Sequence, residues 1–245
     1  MVKSQDLRKQ LEDQFVLDAL DTLVPSASIM ADNLKSVMSK LTSIGVLANG
    51  TAALGEPYGR LKERKDSTTW GYGFPRSSPL QFRTISNHRS RLNLIPRISV
   101  ENIQVEDPRE PKTHPYVAWN ICLEILCADE DHILARWHFD LSNPGQNSPT
   151  AHLQYGGHIS DQTFDLTKLR EPRWHFHLMD APLLAEVVVA NFYRDEWEAL
   201  REDPTWCAAI RTSQRLCYGP YLHAISRAHT SGTTYLSELW DDRWH

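Results

Sequence analysis

Residues 172–178 read Pro-Arg-Trp-His-Phe-His-Leu. In an extended strand, successive side chains leave by opposite faces, so His175 and His177 share one side and Trp174, Phe176 and Leu178 the other. Two upstream runs obey the same alternation. Ile133, Ala135, Trp137, Phe139 and Leu141 make an apolar side that leaves His132, Arg136, His138 and Asp140 opposite, and His152 and Gln154 alternate with Leu153 and Tyr155. Strands that lie side by side would gather these imidazoles on one face.

Imidazole titrates near neutral pH and, when neutral, binds transition metals, so two chemistries fit. Metal-free phosphodiester cleavage would take its base from His138 or His152, its acid from His175 or His177, and charge stabilisation from Arg136 or Arg173. A divalent transition metal would instead be held by His175 and His177, with His152, His158 or His138 as third ligand. Asp140 or Glu124 would then orient a ring or activate water. The same pattern also fits the wet face of a half-exposed sheet, which must carry polar residues of some kind. Tyr155-Gly156-Gly157-His158 adds paired glycines, which let a backbone come close to a ligand or simply end a strand.

A second feature is electrical. The 245-residue chain has a net charge of −5, yet residues 45–97 hold nine lysines and arginines against three acids. Arg60, Lys62, Arg64, Lys65, Arg76, Arg83, Arg89 and Arg91 are the candidate phosphate contacts, with Trp70, Tyr72, Phe74 and Phe82 interleaved as surfaces for base stacking. A solvated loop balanced by an acidic remainder is the competing reading.

No glycine-rich phosphate loop, dinucleotide fingerprint, Gly-x-Ser-x-Gly elbow or His-Glu-x-x-His pair occurs, which sets aside familiar ATPases, dehydrogenases, serine hydrolases and zinc proteases. The four cysteines, Cys122, Cys127, Cys207 and Cys217, match neither a Cys-x-x-Cys knuckle nor a disulfide framework and read as free thiols in a reducing cytosol. No apolar run is long enough to span a bilayer, and the first twenty residues are charged rather than signal-like, so a cytoplasmic location with no membrane association is expected.

Positioning these residues requires helices and a sheet. Helical spacing of apolar residues over 4–23 and again over 28–44 predicts an N-terminal hairpin, either packed on its own domain or serving as a dimerising arm. Residues 45–97 are Gly-, Pro- and Ser-rich and predict an irregular segment with short strands. Period-two alternation through 98–178 predicts an antiparallel sheet of about five strands, with the turn residues 142–149 joining two neighbours. Over 179–229 the pattern returns to helix. Asp180 and Asp203 stand as caps, Pro182 and Pro204 lie in first turns, and Gly219-Pro220 is expected to kink or end the last helix. The tail 230–245 carries Trp240 and Trp244 and is expected to dock on the body. The expected fold is thus a single α+β domain with C-terminal helices on the apolar sheet face and the histidine face left open.

The expected function is action on nucleic acid, as a small histidine-dependent endonuclease of a toxin or antiviral system. The alternative is a non-enzymatic subunit or adaptor of a larger protein or nucleoprotein complex, docking through its N-terminal helices or its tryptophan tail, with a protein partner or a homo-oligomer both open.

Overall fold

Seven residues facing one way, Ala27, Met30, Ala31, Leu34, Val37, Met38 and Leu41, are wholly buried along helix α1 (Ala27–Ser43), which starts at Ser26, whose hydroxyl accepts from Ile29 N. Each such Leu or Val side chain contributes roughly 1.5–3 kcal/mol by leaving water. The computed structural model describes residues 24–87, 92–106, 114–130, 132–143, 145–146, 148–156 and 172–240. The first helix expected for the hairpin therefore lies outside the described residues. Its expected partner, α1, turns its apolar stripe inward against the core rather than offering a dimerising arm.

Residues 45–97 are more regular than their composition suggests. A 3-10 turn (Gly50–Leu54) leads into α2 (Gly55–Glu63), and β1 (Trp70–Phe74), β2 (Leu80–Gln81) and β3 (Ile85–Asn87) follow. These three short strands take turns along one edge of β4 (Leu92–Val105), pairing with it at Val100–Val105, at Ile98 and Arg97, and at Leu92–Leu94. Beyond β4 come β5 (Tyr116–Cys127), β6 (His132–Leu141), β7 (Ala151–Tyr155) and β8 (Trp174–His175), every neighbour antiparallel. Among the described residues the sheet thus has eight strands in place of about five, because the basic segment supplies the extra ones. The α+β class and the antiparallel arrangement stand.

Four C-terminal helices follow: α3 (Ala181–Phe192), α4 (Arg194–Leu200), α5 (Pro204–Ser231) and α6 (Tyr235–Glu238). Asp180 and Asp203 cap α3 and α5 by accepting from Leu183 N and Trp206 N. These helices close over the apolar face, where Trp119 Nε1 donates to Met179 O at 2.8 Å and Ala181 N donates to Tyr72 Oη at 3.3 Å. Pro220 neither ends nor divides α5, which runs 28 residues through it. The tail docks as expected: Leu239 is buried, Thr150 N donates to its carbonyl, and Trp240 bridges Pro149. No helix among the described residues is long and apolar enough to cross a membrane.

Candidate functional site on the polar face of the sheet

Register decides which polar side chains meet. Asn102 pairs with Asn120, Asn120 with Asp140, Asp140 with His152 and His152 with His175, a single polar row across five strands. The adjoining row reads Ser99, Cys122, His138 and Gln154, and the next Arg97, Glu124 and Arg136. His138, His152, Asp140 and Arg136 therefore share one face, as alternation predicts.

This face is not an open surface. His152 is 2% exposed, and Arg136 and Glu124 are 6% exposed each. Burial of polar groups demands partners, and the arginine row supplies them. Glu124 receives Arg76 Nη2 at 2.7 Å and lies 3.4 Å from Arg136 Nε, which in turn donates to Cys122 Sγ at 3.1 Å. Cys122 Sγ lies 4.0 Å from His138 Nε2. Burial pushes the Cys122 thiol up to about 12, so it stays protonated beside the arginine.

The next two rows hold the titratable groups. Burial drives the imidazoles of His138 and His152 down to about 4, with nearby arginines adding to the effect. Burial also pushes the Asp140 carboxyl up to about 7, against the opposing pull of Arg173 and Arg136. The Pro149 carbonyl sits 3.0 Å from His152 Nδ1 and can only accept, so Nδ1 carries the hydrogen and Nε2 keeps a lone pair. Asp140 Oδ1 is buried with no hydrogen-bond partner among the described residues. A carboxyl that keeps its proton to neutral pH thus pairs in register with an imidazole that stays neutral, the separation of affinities that acid–base sites use.

A groove of about 980 Å³ opens between β1 and α2, and its floor includes Asn120 and Cys122, the register partners of Asp140 and His138. Its β1 wall is low because Gly71 and Gly73 face it while Trp70, Tyr72 and Phe74 point into the core. A Cβ on Gly71 would stand 2.6 Å from Ile103 O, so only glycine lets β1 run this close to β4.

The β8 histidines are placed differently. His175 neighbours His152 through the backbone, but its Nδ1 is 3.0 Å from Tyr221 Oη on α5. His177 follows the strand, lies 4.0 Å centroid to centroid from Tyr218, and has Nδ1 3.2 Å from Leu178 O. His175 Nδ1 is thus engaged by α5, and the His177 ring packs on Tyr218 of the same helix. His158 lies outside the described residues.

The basic segment is also largely occupied. Arg60 pairs with Glu56, Lys62 with Asp32, Arg76 with Glu124, and Arg83 with Glu196 while resting on the Tyr193 ring. Arg64 donates to Thr69 O, and Lys65 is exposed with a φ of 35°. Arg89 and Arg91 lie outside the described residues. Trp70, Tyr72, Phe74 and Phe82 are all core residues, which overturns their reading as stacking surfaces for bases. In the groove, Arg60, Arg64, Arg76 and Arg136 face Glu56, Glu63, Glu101 and Glu106, so neither sign of charge prevails.

Comparison with known proteins returns no matching family model, no matching curated protein and no matching solved structure.

Proposed function

We propose that the chain is an enzyme using general acid–base catalysis on the polar face of its sheet, with the phosphodiester of a nucleic acid as substrate class, in the manner of a small endonuclease of a defence or toxin system. The observation that carries this reading is the pairing of Asp140, whose carboxyl holds its proton to about 7, with imidazoles held neutral at His138 and His152. His138, half-buried and next to groove-lining Cys122, takes the proton from the attacking water or ribose hydroxyl. The new P–O bond forms, the opposite one breaks, and Asp140 gives its proton to the departing oxygen. His152 stands opposite Asp140 in register on the neighbouring strand, and Arg173, whose charge already acts on both, offsets the phosphorane charge. Arg136 holds Glu124 and Cys122 in place rather than meeting substrate.

The test is cleavage of end-labelled single- and double-stranded DNA and RNA by the purified protein, with His138→Gln and Asp140→Asn alongside. The reading expects cut product from at least one substrate and losses of about 10²-fold or more in each variant, with the thermal transition retained. Full activity in His138→Gln, or intact substrate in all four cases, overturns it.

A second reading, a non-enzymatic subunit, has an observation of its own. Trp174 is 65% exposed and Tyr155 57% exposed, both on the apolar side of the outer strands. A protein partner would cover them. Light scattering of the wild type and a Trp174→Ser, Tyr155→Ser double variant checks self-association: a monomer in both speaks against a homo-oligomer.

A further inference from the structure

The β5–β6 turn brings together three different metal-ligand types that the acid–base site does not use. Cys127 ends β5 and pairs in register with His132, which opens β6, so their side chains start as direct cross-strand neighbours. Between them the chain folds Glu130 back over the pair. One ligand atom from each, the Cys127 sulfur, a His132 ring nitrogen and a Glu130 carboxylate oxygen, lies within 4.8 Å of the other two. His132 Nδ1 and Glu130 Oε2 are 3.2 Å apart. Two ligands bound at about 2.0–2.1 Å to one tetrahedral ion stand roughly 3.3 Å from each other, so this nitrogen and oxygen already have the spacing of a tetrahedron's edge.

From this geometry we infer that Cys127, Glu130 and His132 form a binding site for a borderline-soft divalent transition ion, zinc being the best match for a mixed sulfur, nitrogen and oxygen set. The sulfur is the inner ligand, since Cys127 is fully buried, while Glu130 and His132 are exposed and close over it from the solvent side. On binding, the thiol releases its proton to solvent, the thiolate, the imidazole nitrogen and the carboxylate oxygen coordinate, and a water completes four-coordination. A hard ion such as magnesium would not select this set, because it prefers oxygen ligands throughout. Asn93 holds the neighbouring Asp129 through both carboxylate oxygens, with Asn93 Nδ2 at 2.9 Å and its backbone N at 3.1 Å. That clamp fixes the turn from which Glu130 projects and keeps Asp129 out of the ligand set.

Cobalt(II) is the probe, because a thiolate ligand adds a near-ultraviolet charge-transfer band to its visible absorption. The full chain titrated with cobalt(II) is expected to develop that band at one equivalent and to lose it when zinc is added. Cys127→Ser abolishes the band, whereas Cys207→Ser, at the half-exposed cysteine elsewhere, leaves it. His132→Ala alters only an exposed residue and so tests the site without disturbing the core; it is expected to weaken the apparent Kd at least tenfold. A band that survives Cys127→Ser, an unchanged Kd in His132→Ala, or no band at stoichiometric cobalt would each overturn the inference and leave an exposed Glu130–His132 ion pair. The metal readout is independent of cleavage, so it stands or falls separately from the acid–base reading.

Discussion

Tyr116 donates its phenolic hydrogen to the carbonyl of Leu216 at 2.7 Å, the α5 carbonyl that Pro220 leaves without a helical donor. Proline has no N–H, so residue i−4 of its helix loses its hydrogen bond. The β5 hydroxyl supplies the replacement, with Cys217 O a further 3.2 Å contact, and α5 continues for 28 residues as one helix against the sheet.

The consequence is a coupled pair of substitutions. Tyr116→Phe strands a buried carbonyl and is expected to cost about 1–3 kcal/mol. In a Pro220→Ala background the helix provides its own donor, and the same change is expected to cost under about 1 kcal/mol. Chemical denaturation of the four proteins of this cycle measures the difference; equal costs in both backgrounds would show that Tyr116 does not serve the proline gap.

That relationship also marks where sequence reasoning runs out. The caps at Asp180 and Asp203, the antiparallel sheet and the sharing of a face by His138, Asp140 and His152 follow from local periodicity, which a one-residue register slip would have inverted. The interruption expected at Pro220 does not occur because a residue about a hundred positions away repairs it. β1 was equally hidden: in Trp-Gly-Tyr-Gly-Phe the two glycines suggest a loop, yet aromatics at every second position are a strand pattern with a bare opposite face. The partners of His175 and His177 come from α5, and the Cys127, Glu130 and His132 cluster depends on how four residues turn between β5 and β6. None of these contacts has a local signature.

The bare face of β1 gives a prediction of opposite signs. Gly71→Ala drives a methyl into Ile103 O and is expected to destabilise by about 1–3 kcal/mol, loosening β1 from β4 and narrowing the groove. Gly59→Ala, in α2 where nothing lies within 4 Å of the added carbon, is expected to stabilise by roughly 0.5–1 kcal/mol. Urea midpoints at constant m-value separate the two; a stabilised Gly71→Ala would contradict the close approach.

Asp140 makes stability depend on pH in an unusual direction. Its carboxyl titrates near 7 in the folded chain, above its ordinary 3.8, so the folded state holds a proton that the unfolded state has released. The resulting contribution is complete below about 4 and is lost as pH rises to 7. Asp140→Asn carries no such titration. Relative to wild type it is expected to gain little at pH 4 and progressively more towards pH 7.5, by a few kcal/mol at most at ~1.36 kcal/mol per unit. His138 and His152 act in the reverse sense, losing stability as pH falls from about 6.5 towards 4, but they are common to both proteins and cancel in the difference. Melting curves of both proteins across pH 4 to 8 provide the check, and a gap that does not widen with pH would mean Asp140 is ionised throughout.

Glu124 is the pivot of the arginine row, and its two arginines differ in how far they depend on it. Arg136 is buried, and its contacts include the Glu124 carboxylate and the Cys122 sulfur, so Glu124→Ala removes the carboxylate beside a desolvated cation. Losing one partner of such a pair costs about 3–5 kcal/mol. Arg76 approaches the same carboxylate from the groove with half its side chain in water, so Arg76→Ala is expected to cost at most about 1 kcal/mol. Glu124→Gln keeps one acceptor for Arg136 and should fall between. Because Cys122 and Arg136 form the groove floor next to His138, Glu124→Ala is also expected to reduce cleavage more than Arg76→Ala does. Denaturation midpoints and cleavage rates should therefore rank the three variants alike; an Arg76→Ala protein less stable than Glu124→Ala would place the important charge at the rim of the groove instead of its floor.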